Sequence, residues 1–219
     1  MRVVIAGGHG QIALRLTKLL ADDGHEVVGL VRNPDHEADI TAAGGQAAVL
    51  DLEQADAAAV AGVLTGADVA IFAAGAGPGS GKARKDTVDR GAAALFADAA
   101  EQAGVRRHLQ VGSINADKAP SLTDDETFTV YLRAKWAAEE DLRSRDLDWT
   151  ILRPGGLTND PGTGRVLLAD KIGDGRSGHI SRDDVALVLA GLCDTPASIG
   201  RTLELVAGDT PVAEALTTL

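Results

Sequence analysis

Cysteine is nearly missing from this sequence. Cys193 is the only one in 219 residues, so no disulfide can form within the chain, which fits a reducing compartment. Aromatic residues are scarce at 3%, so a packed interior must come from Ala, Val, Leu and Ile, the bulk of a 45% hydrophobic content. Positive charge is also short: 21 Lys and Arg stand against 32 Asp and Glu, a formal net charge of -11, with no basic block anywhere. A nucleic-acid binder needs clustered cations to neutralise phosphates, so that class is set aside. The five histidines are scattered without ligand spacing, so no metal is expected. No apolar run approaches the roughly 20 residues that span a bilayer, and the start, MRVVIAGG, reads as a first strand rather than a leader. The expectation is a cytoplasmic protein handling a small-molecule substrate, as a monomer or a homodimer, with no nucleic-acid or membrane partner.

Short apolar runs are what the sequence does have. Residues 3–6, 26–31, 47–50, 69–73, 108–111, 150–152 and 202–206 read as strands, and 11–21, 55–64, 87–103, 131–145 and 183–193 carry helical spacing. Continuous apolar strands alternating with amphipathic helices predict an α/β fold, a doubly wound parallel sheet with helices on both faces. Gly24, Gly66 and Gly104 sit where left-handed helix stops belong. Ser181, with Asp184 three residues on, resembles a capping box. The length suits a single domain over 1–219.

The first strand runs into Gly7-Gly8-His9-Gly10-Gln11-Ile12, a strand, glycine turn and helix start. That is the context of a dinucleotide fingerprint, in which glycines permit the turn and the pyrophosphate sits on the helix N-terminus. Ala13 stands where a third Gly often sits and is small enough for close helix–strand packing. The second strand ends in Arg32, where an NAD site usually offers an acid; a guanidinium there suits a ribose 2′-phosphate and argues for NADP over NAD. Asp35 and Glu37 just beyond keep NAD open. Asp51 and Leu52 are placed for the adenine edge, or Asp51 as a cap for the following helix.

After the fourth strand comes GAGPGSGKA, residues 75–83. As a phosphate-binding P-loop it fails twice, with Ala76 where Gly is required and Ala83 where a magnesium-ligating Ser or Thr is required. Ala73, Ala74 and Gly75 read instead as the close-approach floor under the cofactor, with 77–82 a mobile loop; Lys82, Arg84 and Lys85 read as a solvated basic turn, the alternative being an attraction for an anionic group. Asp86 and Asp89 read as helix-start carboxylates. Tyr131 and Lys135, four apart, share one face of a helix, and an ammonium beside a phenol favours proton exchange near neutral pH. Ser113, at the end of the fifth strand, can hydrogen-bond a carbonyl oxygen.

With these residues on the page, the chain resembles the short-chain dehydrogenase/reductases, in particular the atypical small NAD(P)-binding members similar to flavin/biliverdin reductases and NmrA-like proteins. The carriers are the glycine turn, Arg32, Asp51-Leu52, 73–75, 103–107, Tyr131 with Lys135, 150–155 and 180–186. The resemblance implies an NADP cofactor and a Rossmann-type sheet. It implies Tyr131 as the proton exchanger, Lys135 on the nicotinamide ribose, and Ser113 orienting the carbonyl. It also implies that Pro154, Gly155 and Leu157 pass the nicotinamide end, with the region from about 154 onward on the substrate side. Tyr131 follows Ser113 by 18 residues, which matches neither main branch of the family. Two functions follow: an NADPH-dependent oxidoreductase acting on a carbonyl, quinone or flavin, or an NADP(H)-binding redox sensor. A sugar-nucleotide epimerase is weaker, because little chain remains for a substrate domain.

Overall fold

The structure is a computed structural model and describes residues 1–77, 79–124, 126–173 and 178–219. The expected strands form at the expected places: β1 (Arg2–Ala6), β2 (Glu26–Val31), β3 (Gln46–Val49), β4 (Val69–Phe72), β5 (Arg107–Val111) and β6 (Asp148–Pro154). They are followed by β7 (Gly156–Thr158), β8 (Arg165–Ala169), β9 (His179–Ser181), β10 (Arg201–Ala207) and β11 (Thr210–Pro211). Among the described residues, nine of these build one sheet in the order β11-β8-β10-β6-β5-β4-β1-β2-β3. The seven from β3 to β10 run parallel, and order reverses between β1 and β4. This is the doubly wound Rossmann arrangement, whose ligand crevice opens at that reversal. The parallel prediction fails only at one edge, where β8 pairs antiparallel with β10 and β11 with β8. The chain leaves β8, forms β9 and α7, and returns as β10 beside it, so β8 is the strand that runs against the rest of the sheet.

The helices are α1 (Gln11–Asp22), α2 (Glu37–Ala42), α3 (Ala57–Leu64), α4 (Gly81–Arg84), α5 (Ala93–Ala103), α6 (Thr127–Arg143), α7 (Arg182–Leu192) and α8 (Val212–Thr217). Between α4 and α5, residues Lys85–Ala92 are π-helical, so the chain is helical without a break over 81–103. Alternation along β1 splits the core. Val3 and Ile5 face the α1 and α7 side; Val4 and Ala6 face the α3 and α5 side with Phe72 and Phe96. Each fully buried Leu, Ile, Val or Phe contributes about 1.5–3 kcal/mol over an exposed one, which is how a chain so poor in aromatics holds its core. His108 on β5 lies wholly inside, edge-on to Phe96 at 5.7 Å between ring centres. Burial pushes it down to about 3, so it stays neutral.

The punctuation is as expected. Gly24, Gly66 and Gly104 all have positive φ, and Gly104 closes α5 at 73°. Ser181 caps α7, accepting from the Asp184 N–H at 3.0 Å. Asp56, not Asp51, caps α3. Cys193 is core, with burial pushing its thiol up to about 12. Trp149 packs on Leu142 and Ile151 as a structural residue, and Trp136 lies under the guanidinium groups of Arg143 and Arg153.

Candidate functional site

The glycine turn is built by close approach. Gly7 has φ 78°, and a Cβ there would stand 2.6 Å from the Ala74 Cα, so turn geometry and contact both exclude a side chain. A Cβ on Gly8 would stand 2.6 Å from the Gly29 Cα, and the Gly8 N–H donates to the Leu30 carbonyl at 2.9 Å. These contacts lock the turn to β2 and β4. Gly10 is the N-cap of α1 and has no side chain to cap it, and the first turn carries no acidic residue. The first N–H groups of a helix have no intrahelical partner, so the exposed backbone at Gln11 and Ile12 presents donors and the positive dipole end to an anion. That fits a pyrophosphate. Ala13 is wholly buried in the contact that a third glycine would otherwise make.

From this turn a cleft of about 350 Å³ runs across the ends of β2, β3 and β4. Arg32, Asp51, Leu52, Ala73, Ala74 and Gly75 all line it, together with Gly7, His9 and Gly10. His9 stacks on His36 with ring centres 3.6 Å apart and meets Asp39 at 2.7 Å, forming one wall. Asp51 holds its own turn, accepting from the Glu53 N–H at 3.0 Å. Glu53 and Arg84 also line the cleft; Arg84 belongs to the basic turn of the sequence, and Glu53 carries no sequence signal. Glu53 meets Arg84 at 2.5 Å and Arg32 at 3.5 Å, and accepts from the Thr87 hydroxyl at 2.8 Å. The Arg84 and Thr87 hydrogen bonds hold its carboxyl below the usual carboxylate range.

At the far end of the cleft floor, three elements meet around a buried ion pair. Lys135 on α6 donates to the Val111 carbonyl at 3.1 Å, beside Gly112-Ser113, and lies 3.3 Å from Asp89. Asp89 is 1% exposed and accepts from the Ala76 N–H at 3.2 Å, so it ties the loop after β4 to α6. Neither Asp89 nor Asp86, which pairs with Arg90, starts a helix, because the helix begins at Gly81. Of the basic turn Lys82 is exposed, as expected of a solvated turn, but Lys85 is not. Lys85 is buried, donates to the Gly77 carbonyl at 2.9 Å, and lies 5.3 Å from the centre of the Tyr131 ring. Lys135 lies 5.9 Å from the centre of the same ring, so two ammonium groups stand within 6 Å of it. Gly81 and Lys82 belong to α4 rather than to a loop, and Pro78 lies outside the described residues. Ser113 is half-buried in the turn after β5, with its hydroxyl on the Ile114 carbonyl at 3.3 Å.

Pro154, Gly155 and Leu157, in the segment at and after the end of β6, do not line the described cleft. Pro154 accepts from the Ile114 N–H at 3.1 Å, and Gly155 donates to Leu205 at 2.9 Å. A Cβ on Gly155 would collide with the Gly178 carbonyl. Leu157 is exposed on β7, which pairs with β9. Residues 174–177 of the glycine-rich stretch lie outside the described residues.

The model of a family described as NAD(P)H-binding matches residues 7–196, from the first glycine of the turn to beyond α7. The chain belongs to that NAD(P)H-binding family. Among its relatives, an uncharacterized sugar epimerase of Bacillus subtilis is 37% identical over 217 residues, covering 99% of each chain. A protein of Bacillus halodurans proposed to be an NAD-dependent epimerase/dehydratase superposes with TM-score 0.92 at 32% identity, covering 100% of both chains. An anaerobilin reductase of Escherichia coli O157:H7 superposes with TM-score 0.79 at 26% identity, covering 95% of this chain and 98% of that one. At 18% identity and TM-score 0.71, over 96% of each chain, a short-chain dehydrogenase/reductase of Veillonella parvula crystallised with NADP shares the fold. The expected NAD(P)-binding family and Rossmann-type fold are thus met, and the chain carries its glycine turn and cleft where that fold requires them.

Proposed function

We propose that the chain is an NADPH-dependent oxidoreductase that delivers hydride to a small carbonyl, quinone or flavin acceptor. What carries this reading is the Tyr131 ring with the ammonium groups of Lys85 and Lys135 within 6 Å of its centre, tied to the cleft floor through Asp89, which pairs with Lys135 and holds the Ala76 N–H. In this reading Gly7, Gly8, His9 and Gly10, with the backbone of Gln11 and Ile12, hold the pyrophosphate. Arg32 takes the ribose 2′-phosphate, Asp51 and Leu52 the adenine edge, and Ala73, Ala74 and Gly75 form the floor. The cofactor supplies the hydride when bound.

An ammonium has three N–H donors. Val111 and Asp89 occupy two sides of Lys135 and orient it, leaving a donor for the nicotinamide ribose. Tyr131 gives its phenolic proton to the carbonyl oxygen of the acceptor, and the two ammonium groups stabilise the phenolate that remains. Ser113 exchanges its local bond to Ile114 for one to the same oxygen and aligns it. Pro154, Gly155 and Leu157 border the nicotinamide end, and the chain acts as one domain with 154–219 on the substrate side.

The test is a fluorescence titration of the protein with NADPH and, separately, NADH. NADPH should bind more tightly, and Arg32→Ala should weaken it about 10- to 100-fold with little change for NADH, as loss of a charge-assisted bond predicts. Binding of neither would overturn the reading. Tight binding with no NADPH oxidation across a broad acceptor panel would move the protein to a redox sensor. Conversion of a sugar nucleotide without net NADPH consumption would place it with the relative named a sugar epimerase.

A further inference from the structure

Three strand ends deliver one cluster to the mouth of the cleft. Arg32 follows β2, Glu53 lies just beyond β3, and Arg84 ends α4 after β4. Both guanidinium groups converge on the same carboxylate oxygen, Oε2 of Glu53, Arg84 at 2.5 Å and Arg32 at 3.5 Å. The Thr87 hydroxyl holds the other oxygen at 2.8 Å. In a doubly wound sheet the ribose 2′ position lies beyond the second strand, where Arg32 stands. A single carboxylate thus occupies two cations at the place where a cofactor's 2′ substituent arrives.

We infer that Arg84 is a second guanidinium for the ribose 2′-phosphate and that Glu53 is its built-in competitor, so that the three side chains together set the ratio of NADPH to NADH affinity. This rests on the cofactor reading above. The Arg32 side chain is 55% exposed and that of Arg84 34%, against 20% for Glu53, so water screens the Arg32 contact most. Arg84 already holds both Glu53 oxygens, Nη2 on Oε2 and Nε on Oε1 at 3.5 Å, so a phosphate dianion competes by its greater charge. It displaces the Glu53 carboxylate, which swings into solvent. The 2′-hydroxyl of NADH carries no charge, leaves Glu53 on its arginines and gains nothing from Arg84. NADPH binding therefore bears a penalty for breaking the Glu53 contacts that NADH binding does not.

The test uses the full chain, with NADPH, NADH, adenosine 2′,5′-bisphosphate and 5′-AMP as titrants followed by calorimetry. The two adenosine fragments read the ribose end without any turnover. Arg84→Ala should weaken NADPH and the 2′,5′-bisphosphate about 10-fold or more, with NADH and 5′-AMP within about 2-fold. Glu53→Gln should tighten NADPH and the bisphosphate about 3- to 10-fold by removing a competing charge, again sparing NADH and 5′-AMP. The inference is overturned if Arg84→Ala moves NADPH and NADH equally or moves neither, or if Glu53→Gln weakens NADPH. Thermal midpoints check that each variant is folded, and Arg84→Gln replaces Arg84→Ala if the latter is not. If the wild-type chain prefers NADPH through Arg32 while Arg84→Ala is silent, only this inference fails. If the wild type binds no nicotinamide cofactor, the cofactor reading fails and takes the inference with it.

Discussion

Replacing Tyr131 with Phe lowers carbonyl-reducing turnover by about 10²- to 10⁴-fold, the usual contribution of a positioned acid, and leaves NADPH affinity within about 2-fold. That loss corresponds to about 3–5 kcal/mol of transition-state stabilisation. The change deletes one oxygen and keeps the ring, so the stacking with Phe128 and the contacts with both lysines have the same frame. Steady-state kinetics on an aldehyde or ketone panel, with NADPH affinity from a separate titration, makes the check. Equal turnover by the variant would remove Tyr131 as proton donor. The acceptor would then be a flavin or quinone, which can take hydride without that phenol. A matched fall in cofactor affinity would mean that the ring, not its oxygen, shapes the site.

The largest stability effect is expected at Arg153. This residue carried the sequence resemblance, and its role is structural. It is 5% exposed and grips Glu139, which is wholly buried, with Nη2 at 2.5 Å and Nε at 3.1 Å from the carboxylate. Gly112 must be glycine, because a Cβ there would collide with Glu139 Oε1. Arg153→Ala leaves the buried Glu139 carboxylate only the Arg143 guanidinium, at 3.1 Å, and should cost about 3 kcal/mol, lowering the melting midpoint by about 10 °C in a chain of this size. The double variant Arg153→Met with Glu139→Leu should recover most of that loss, since a buried pair replaced by apolar residues of similar volume is often neutral. Calorimetric melting of the three proteins decides it. If the double variant is as unstable as Arg153→Ala, the ion pair itself, rather than the cost of an unpaired charge, stabilises the fold.

Much of the molecule is legible from residue order because short-range rules govern it. Apolar runs predict strands within a residue or two, since a strand covered on both faces has to be apolar throughout. The start at Gly7 and the stop at Gly104 follow from backbone geometry that few other residues adopt. Arg32 follows from the same reading, and the structure places it just past the end of β2 in the lining of the cleft. The glycine-rich run at 75–83 is legible only by what it lacks, and its helical half, α4, is hidden by its glycines.

Local pattern thus determined the sheet, the glycine turn, the cofactor cleft and the pairing of Tyr131 with Lys135 on one helix face. Tertiary structure alone decided which charges meet. Glu53 finds Arg84 and Thr87 more than thirty positions away. Asp89 finds Lys135, Lys85 reaches Tyr131, and Glu139 finds Arg153 across separate elements. None of these pairs has a period or a motif, because each joins residues of separate elements that only the fold brings together. Burial then supplies the reason they persist: an ionisable group taken out of water has to find a partner, and the fold, not the sequence neighbourhood, provides it.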